Sequence, residues 1–279
     1  MVAAETQGGE RMTTREGLRR DGAALRARLF AAEMPREPEA EIAPGLADLF
    51  DELIFGGVWS RPGLALPDRM IAALAALCAV QRLAQLRRHV AAAIDLGLSA
   101  QAIVEIFIQC GIYAGFPASE EAIGIAATVF AERRLSLPVA ASRPASLDDP
   151  DSLDDPDSLD KLMARGRTLL EELHGTRGYE GYAAPDNAVT AALYPIAIQY
   201  GYGEIWHRPG LERRQRALCA VAAFTALRLE GQVRKFGQSA LNAGLRRTEI
   251  IEAVIQTGPY SGLAPALNAL AALGDVLGG

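Results

Sequence analysis

FGGVWSRPGL at residues 55–64 returns as YGEIWHRPGL at residues 202–211. The match continues without a gap, so that residues 55–122 align with residues 202–269 at a constant offset of 147. The chain is therefore a tandem duplication of one unit. We call the two halves copy one and copy two.

The clearest difference between the copies is His89, which becomes Phe236. Other polar positions are kept: Glu105 as Glu252, Gln109 as Gln256, Tyr113 as Tyr260, and Arg69 as Arg216. A scaffold that keeps these residues and exchanges one imidazole predicts two sites with different roles. We expect one working site per chain, in copy one.

Composition favours helices. Half of the 279 residues are hydrophobic but only 6% are aromatic, and Ala and Leu are abundant. Small and straight-chain residues lose little freedom in a helix, whereas strands favour β-branched and aromatic residues. We therefore predict an all-α protein of two helical bundle units, each large enough to bury its own core.

The repeat and the loop composition predict the domain boundaries. We expect a disordered tail at residues 1–17, unit one at 18–136, an acidic linker at 137–160 and unit two at 161–279. The linker contains two SLDDPD repeats. Such a segment repels itself and cannot bury a core, and it lacks the glycine turn and terminal Glu of a calcium-binding loop.

Charge and cysteine usage exclude several classes of protein. The net charge of −6 comes largely from the linker aspartates, so neither a nucleic-acid partner nor a cationic partner is indicated. The three cysteines are far apart in sequence, so we expect neither a disulfide framework nor a metal site. Residues 1–20 contain no apolar stretch typical of a signal peptide or membrane span, which predicts a cytoplasmic protein.

Hydrophobic periodicity and helix-end signals predict the helices. In copy one they cover residues 18–30, 46–55, 67–80, 84–96 and 100–113, with a last helix after Pro117. Residues 162–174 correspond to 18–30 at an offset of 144, so three residues were gained or lost in the connecting loops.

The apolar helix at 100–113 carries three polar residues spaced four apart, Glu105, Gln109 and Tyr113. They lie along one stripe of the helix, and buried polar groups need partners. One interpretation is an interhelix hydrogen-bond seam, and the other is a reaction site.

His89 and the arginines also allow two interpretations each. His89 is either a proton donor tuned by a buried carboxylate or a surface histidine in an Arg-rich turn. Arg61 and Arg69 either bind an anionic substrate or pair with carboxylates between helices. Trp59 is more typical of packing. In copy two, Glu204 and His207 contribute to a shared site only if the copies face each other.

The motifs of copy one, taken in order, resemble the carboxymuconolactone decarboxylase family of the alkylhydroperoxidase D-like superfamily. They are residues 55–64, Arg69, 85–90, Gly97, 105–109 and 113–118. The resemblance covers most of copy one. It is weaker in copy two, which lacks the histidine and has YSGLAP at 260–265 where copy one has YAGFPA.

The peroxidases of that superfamily use a Cys-x-x-Cys pair, a His three residues later and a Glu on the preceding helix. Aligning that histidine with His89 leaves Arg82 and Gln85 at the cysteine positions and Met70 at the Glu position. Dithiol peroxidase chemistry is therefore not expected.

The resemblance implies a cofactor-independent decarboxylation of a small, enolisable, lactone-type or polycyclic carboxylate. Arginines would orient carboxylates, a tyrosine would polarise the carbonyl, and His89 would return a proton to carbon. The residues so implied are His89, Tyr113 and Glu105 in catalysis, and Arg61, Arg69, Gln109 and Trp59 in substrate binding.

Family members form rings of six units, so the resemblance also implies a homotrimer of this two-unit chain. A tailoring step in secondary metabolism is one variant of this function. Two alternatives stay open: a non-catalytic binding or scaffold protein, and an oxidoreductase that uses a lone cysteine.

Overall fold

The computed structural model describes residues 14–30, 42–135, 158–180 and 187–278. Within these ranges the chain forms twelve α-helices and no β-strand, which confirms the all-α prediction. In chain order the helices are α1 (Arg15–Phe30), α2 (Leu46–Leu49), α3 (Leu66–Ala79), α4 (Leu83–Asp95), α5 (Ala100–Ala114), α6 (Phe116–Glu132), α7 (Leu159–His174), α8 (Tyr194–Ile196), α9 (Arg213–Ala226), α10 (Glu230–Asn242), α11 (Arg247–Ser261) and α12 (Leu263–Leu277).

The sequence located α3, α4 and α5 to within one residue, whereas α1 and α7 each begin three residues earlier than predicted. Helix α1 begins at Arg15, inside the predicted tail. Helix α7 begins at Leu159, inside the predicted linker, where the Ser158 hydroxyl accepts a hydrogen bond from the Asp160 amide. The rest of the predicted tail, 1–13, and of the linker, 137–157, lies outside the described residues.

The helix predicted at 46–55 has a different form. Only Leu46–Leu49 is α-helical, and a π-helix follows at Phe50–Trp59. Copy two repeats the feature, with a π-helix at Ala197–Glu204 and a 3₁₀ turn at Ile205–His207. π-helices are rare in proteins, and those that occur are often found at functional sites. In copy one the π-helix ends just before the Arg-Pro-Gly loop, and in copy two the 3₁₀ turn separates the π-helix from that loop.

Packing divides the chain between Arg61 and Pro62 into two compact units. In the first unit, α1 packs against the π-helix Phe50–Trp59. The approach requires glycine, because a Cβ atom on Gly22 would lie 1.9 Å from the carbonyl oxygen of Asp51. Arg26 donates to the Asp51 carboxylate at 3.0 Å and fixes the same contact.

The second unit, from Pro62 onward, contains helices of both copies in one core. Helix α3 of copy one packs against α9 and α11 of copy two, and α9 also packs against α5. Close approach is possible because α3 and α9 are rich in alanine and almost wholly buried. The division by packing therefore differs from the division by sequence repeat.

Two glycines fix the turn between the last two helices of each copy. Gly115 precedes α6 with φ of 94°, and Gly262 precedes α12 with φ of 107°. Side chains other than glycine are strained at such angles, so both copies keep the residue. Among the described helices, none is both long and apolar enough to span a membrane.

Candidate functional site

Two polar clusters lie where helices of copy one meet helices of copy two in the second unit. The His89 cluster consists of Arg69, His89, Glu252, Gln256 and Tyr260. The Phe236 cluster consists of Glu105, Gln109, Tyr113, Arg208, Arg216 and Phe236. The offset of 147 relates five positions of the two clusters, with His89 exchanged for Phe236, and Arg208 is an additional member of the second cluster.

Arg69 is the buried centre of the His89 cluster. Its side chain has no solvent exposure. Its terminal nitrogens donate to Glu252 Oε2 at 2.8 Å, to Gln256 Oε1 at 3.2 Å and to the Pro62 carbonyl oxygen at 3.3 Å. The arginine of α3 thus holds the carboxylate and the amide of α11 in place.

His89 bridges the two copies at the edge of this cluster. Its Nδ1 lies 2.7 Å from the Gln85 carbonyl oxygen and its Nε2 lies 2.9 Å from the Tyr260 hydroxyl. A carbonyl oxygen can only accept, so Nδ1 carries the proton in the neutral ring. Nε2 then accepts from the Tyr260 hydroxyl.

Burial, against the opposing bond to Gln85 and together with the charge of Arg88, lowers the pKa of His89 to about 4. The imidazole is therefore neutral at pH 7. The sequence interpretation of an exposed histidine is wrong, because His89 is 7% exposed.

Glu105 is the buried centre of the Phe236 cluster. Arg208 contacts both of its carboxylate oxygens, at 3.0–3.2 Å, and Arg216 donates to Oε2 at 3.1 Å. Arg216 also donates to Gln109 Oε1 at 3.0 Å. Two arginines of copy two therefore share one carboxylate of copy one, and the interhelix seam predicted for Glu105 and Gln109 is present.

Aromatic rings fill the place that the imidazole occupies in the other cluster. Tyr113 lies 4.6 Å from Phe224 and 6.1 Å from Phe236, measured between ring centroids. Burial raises the pKa of the Tyr113 hydroxyl, against the opposing bond from Gln109. Leu77 is the copy-one equivalent of Phe224, so two exchanges together make this cluster aromatic.

A third histidine is buried behind Phe236. His174 lies 2.6 Å from the Ser239 hydroxyl through Nδ1 and 2.7 Å from the Tyr202 hydroxyl through Nε2. Its ring meets Phe236 edge-on at 4.9 Å. The equivalent residues of copy one are apolar: Phe30, Phe55 and Ala92.

The residues predicted for one site are divided between the two clusters. His89 and Arg69 belong to the first, and Glu105, Gln109 and Tyr113 belong to the second. The expectation that His89 and Tyr113 share a site is corrected, because His89 of copy one pairs with the tyrosine of copy two. The repeat itself could have indicated this partner, since Glu105, Gln109 and Tyr113 of α5 all recur on α11.

Two predicted substrate contacts lie in the first unit. Trp59 is completely buried and packs against Phe30 and Phe55, with ring centroids 6.5 Å away in each case. Its predicted contact with substrate is therefore corrected to a packing contact. Arg61 is exposed at the end of this unit, and its role in binding a carboxylate stays a prediction.

The cysteines are unsuited to redox catalysis. Cys78, Cys110 and Cys219 are all fully buried. The neighbouring Cys78 thiol and burial raise the pKa of Cys110, and burial raises that of Cys219 to about 12. Reactive cysteines need an accessible thiolate, so the lone-cysteine alternative is disfavoured.

Fold and clusters together define a class of protein: a tandem all-α repeat whose two copies exchange buried arginine–carboxylate contacts. The model of the carboxymuconolactone decarboxylase family matches residues 44–128 and again residues 191–275. These two matches cover more than half of the chain, and the protein belongs to this family.

Individual relatives each match less than half of the chain. The chain is 40% identical over 76 residues to 4-carboxymuconolactone decarboxylase of Acinetobacter baylyi, covering 27% of this chain and 57% of the relative. It is 24% identical over 110 residues to nitrosuccinic acid decarboxylase of Metarhizium robertsii, covering 39% of this chain and 77% of the relative. An uncharacterised 15.0 kDa protein of Paracoccus denitrificans is 34% identical over 83 residues, covering 29% and 62% respectively.

Replacing Glu105→Gln should lower the free energy of unfolding by about 3–5 kcal/mol, because it leaves the guanidinium of Arg216 buried without its counter-charge. Urea denaturation measures this change. The matched control is Glu132→Gln, which removes a partly exposed pair with Arg87 and should cost less than about 1 kcal/mol. Equal effects of the two changes would contradict a central role for the Glu105 network.

The buried histidine His174 should make stability depend on pH. Burial, then the charges of Lys235 and Arg177, lowers its pKa from 6.5 to about 3. The unfolded chain therefore binds a proton between these values that the folded chain does not, and stability falls as the pH drops from about 6.5 towards 3. Other titratable groups contribute to the same fall in stability. The test therefore compares the pH dependence of the unchanged protein with that of a variant without His174.

The triple change His174→Phe, Tyr202→Phe and Ser239→Ala restores the copy-one residues. Between pH 6 and pH 4, the free energy of unfolding of this variant should fall less steeply with pH, by up to about 1.4 kcal/mol per pH unit. Denaturation at several pH values measures the slope. An unchanged slope would refute a neutral, buried His174.

Proposed function

We propose that the protein is a cofactor-independent carbon–carbon lyase that decarboxylates a small, enolisable carboxylate at the His89 cluster. Family membership and two relatives with decarboxylase names support the reaction class. The His89–Tyr260 hydrogen bond at 2.9 Å is the main reason for choosing the His89 cluster over the Phe236 cluster. The equivalent place in the Phe236 cluster holds a ring that cannot transfer a proton.

Decarboxylation requires an acceptor for electrons and a donor of one proton. When the carbon–carbon bond to the carboxylate breaks, its electron pair moves into a conjugated carbonyl group, and carbon dioxide leaves. The resulting enolate then takes a proton at carbon. A hydroxyl that hydrogen bonds to the carbonyl stabilises the enolate as its charge develops, and we assign this role to Tyr260 rather than to Tyr113.

We assign the proton transfer to His89, which is neutral before substrate binds. A bound carboxylate favours the imidazolium, so the substrate itself raises the pKa of His89 and recruits the proton that is later transferred. Once Nε2 is protonated it can no longer accept from the Tyr260 hydroxyl, and its N–H can then turn to the reacting carbon. The Gln85 carbonyl keeps the ring oriented through Nδ1.

Arg69, Glu252 and Gln256 are positioning residues in this scheme. They fix α11, which carries Tyr260, against α3. We propose that Glu105, Gln109 and Tyr113 do the same for the opposite contact between the copies, where α9 meets α5. Copy two would then act mainly as the scaffold that completes the copy-one site. In this proposal the non-catalytic scaffold role applies to copy two alone.

Changing His89→Phe installs the copy-two residue and should lower kcat/KM by about 10²- to 10⁴-fold, as expected for loss of a general acid. The readout is carbon dioxide release from 4-carboxymuconolactone and from nitrosuccinate, the compounds named by the two relatives. Tyr260→Phe should also lower kcat.

The matched control is Tyr113→Phe, the equivalent tyrosine of the other cluster, which should leave turnover nearly unchanged. Unchanged turnover in the His89 variant, or an equal loss in the Tyr113 variant, would rule out this assignment of the site. Comparison of the two substrates also tests whether a lactone is required, whereas a tailoring step of secondary metabolism in the cytoplasm stays a prediction.

We also propose that three chains associate into a ring of six repeat units. Matching positions of the two copies expose large apolar side chains, which soluble monomers rarely do in contiguous patches. The matched pairs are Leu49 with Ile196, Leu53 with Tyr200, and Phe116 with Leu263.

Light scattering on a sizing column should give a mass three times the chain mass of 29.7 kDa. The pair of changes Leu263→Glu and Leu267→Glu, at side chains 54% and 64% exposed, should reduce the mass without unfolding the helices. A single-chain mass at micromolar concentration for the unchanged protein would overturn the proposal.

A further inference from the structure

Copy two has gained a group of charged residues that neither cluster uses. Arg165 on α7 stands where copy one has Asp21, and His207 stands where copy one has Ser60. The change at the first position reverses the charge. These exchanges therefore place new hydrogen-bond donors on one half of the duplicated scaffold.

Both residues end in a buried nitrogen that lacks a partner. Within the described part of the chain, Arg165 Nη1 and His207 Nε2 are buried and have no hydrogen-bond partner. Both residues are half-buried as a whole, so solvent reaches their outer atoms. Buried nitrogens of this kind are normally satisfied in folded proteins, and a partner from outside the protein would satisfy them.

The surroundings of His207 are mainly cationic. Burial first, and then the charges of Arg165, Arg213 and Arg216, lower its pKa to about 4, whereas Glu172 opposes them. Arg213 donates to Glu172 at 2.6 Å, and Arg216 donates to Glu105. Two of the three arginines therefore have a carboxylate partner in the protein.

Arg165 differs from these two arginines. Glu204 is close enough to raise its pKa, although burial has the larger, lowering effect. Among the described residues, however, Arg165 makes no ion pair. A guanidinium that burial destabilises and that has no ion pair within the described residues is a suitable group to bind an anion from solution.

We propose that Arg165 and His207 bind a small oxyanion, a carboxylate or a phosphate, at a second ligand site in copy two. The guanidinium supplies charge and N–H donors, and the imidazole supplies a donor from Nε2 once it is protonated or in the Nε2–H tautomer. The site shares no residue with the His89 cluster, so a ligand here would not be the compound being decarboxylated at that cluster.

Binding at this site should be linked to proton uptake. An anion beside the imidazole favours its charged form, so the pKa of His207 rises in the complex. Burial, and the charges of Arg165, Arg213 and Arg216 against that of Glu172, keep the pKa of His207 low in the free protein. Affinity should therefore increase as the pH falls from 7 to 6, a range in which acetate keeps its charge.

The test follows the imidazole resonances by NMR while inorganic phosphate or acetate is added to the full-length protein at constant ionic strength. The chain has three histidines, and His207→Ser, the copy-one residue, assigns the signal. We expect a saturable shift of the His207 signal alone, with tighter acetate binding at pH 6 than at pH 7. A His207 signal that does not respond to either anion would overturn the proposal.

Two variants distinguish binding at a specific site from nonspecific attraction of an anion to positive charge. Arg165→Gln should weaken binding about tenfold or more, the effect of losing a charged hydrogen bond. Arg167→Gln, an equal charge change at an exposed position of α7, should leave affinity unchanged. Equal losses in both variants would refute the site.

A last variant identifies the source of the oxyanion. Exchanging the linker aspartates for asparagine should leave the His207 signal unchanged before any anion is added. A changed signal would mean that carboxylates of the chain itself already satisfy these donors, and would overturn the proposal of a ligand from solution. Activity at the His89 cluster is a separate readout, so failure here leaves the proposed decarboxylation standing.

Discussion

Buried arginine–carboxylate contacts exchanged between the two copies hold the rest of the structure in place. Arg69 of copy one contacts Glu252 of copy two, and Arg216 of copy two contacts Glu105 of copy one. Removing one partner of such an ion pair would leave the other charge buried and poorly solvated. Neither copy can therefore lose its arginine or its carboxylate without destabilising the other copy. This reciprocal constraint explains why duplication preserved these residues while their neighbours changed.

Duplication within one chain allowed the two contacts to diverge. A symmetric dimer of single units must carry the same residue in both clusters, whereas a fused pair can keep His89 in one and place Phe236 in the other. Around Phe236 the exchange was accompanied by others, because Phe224, His174, Tyr202 and Ser239 also differ from their copy-one equivalents. The result is one cluster with a titratable pair at its edge and one that is filled with aromatic rings.

The sequence predicted the positions of the helices well, but it did not predict which side chains meet between helices. Helix periodicity and the glycine stops located α3, α4 and α5 to within one residue, since both signals are local. The π-helix at Phe50–Trp59 was missed because its hydrogen-bond pattern leaves no distinct periodicity over ten residues. The predicted site grouped His89 with Tyr113, as though each copy were complete.

By itself the sequence determined that the chain is all α, that it is duplicated, that it lacks the dithiol pair, and that a single imidazole distinguishes the copies. These conclusions depend on residue identity and spacing alone. Only the tertiary structure decided which tyrosine meets that imidazole. The packing of α3 and α5 of copy one against α11 and α9 of copy two pairs His89 with Tyr260, because contacts between helices depend on how the copies pack and not on their separation in the chain.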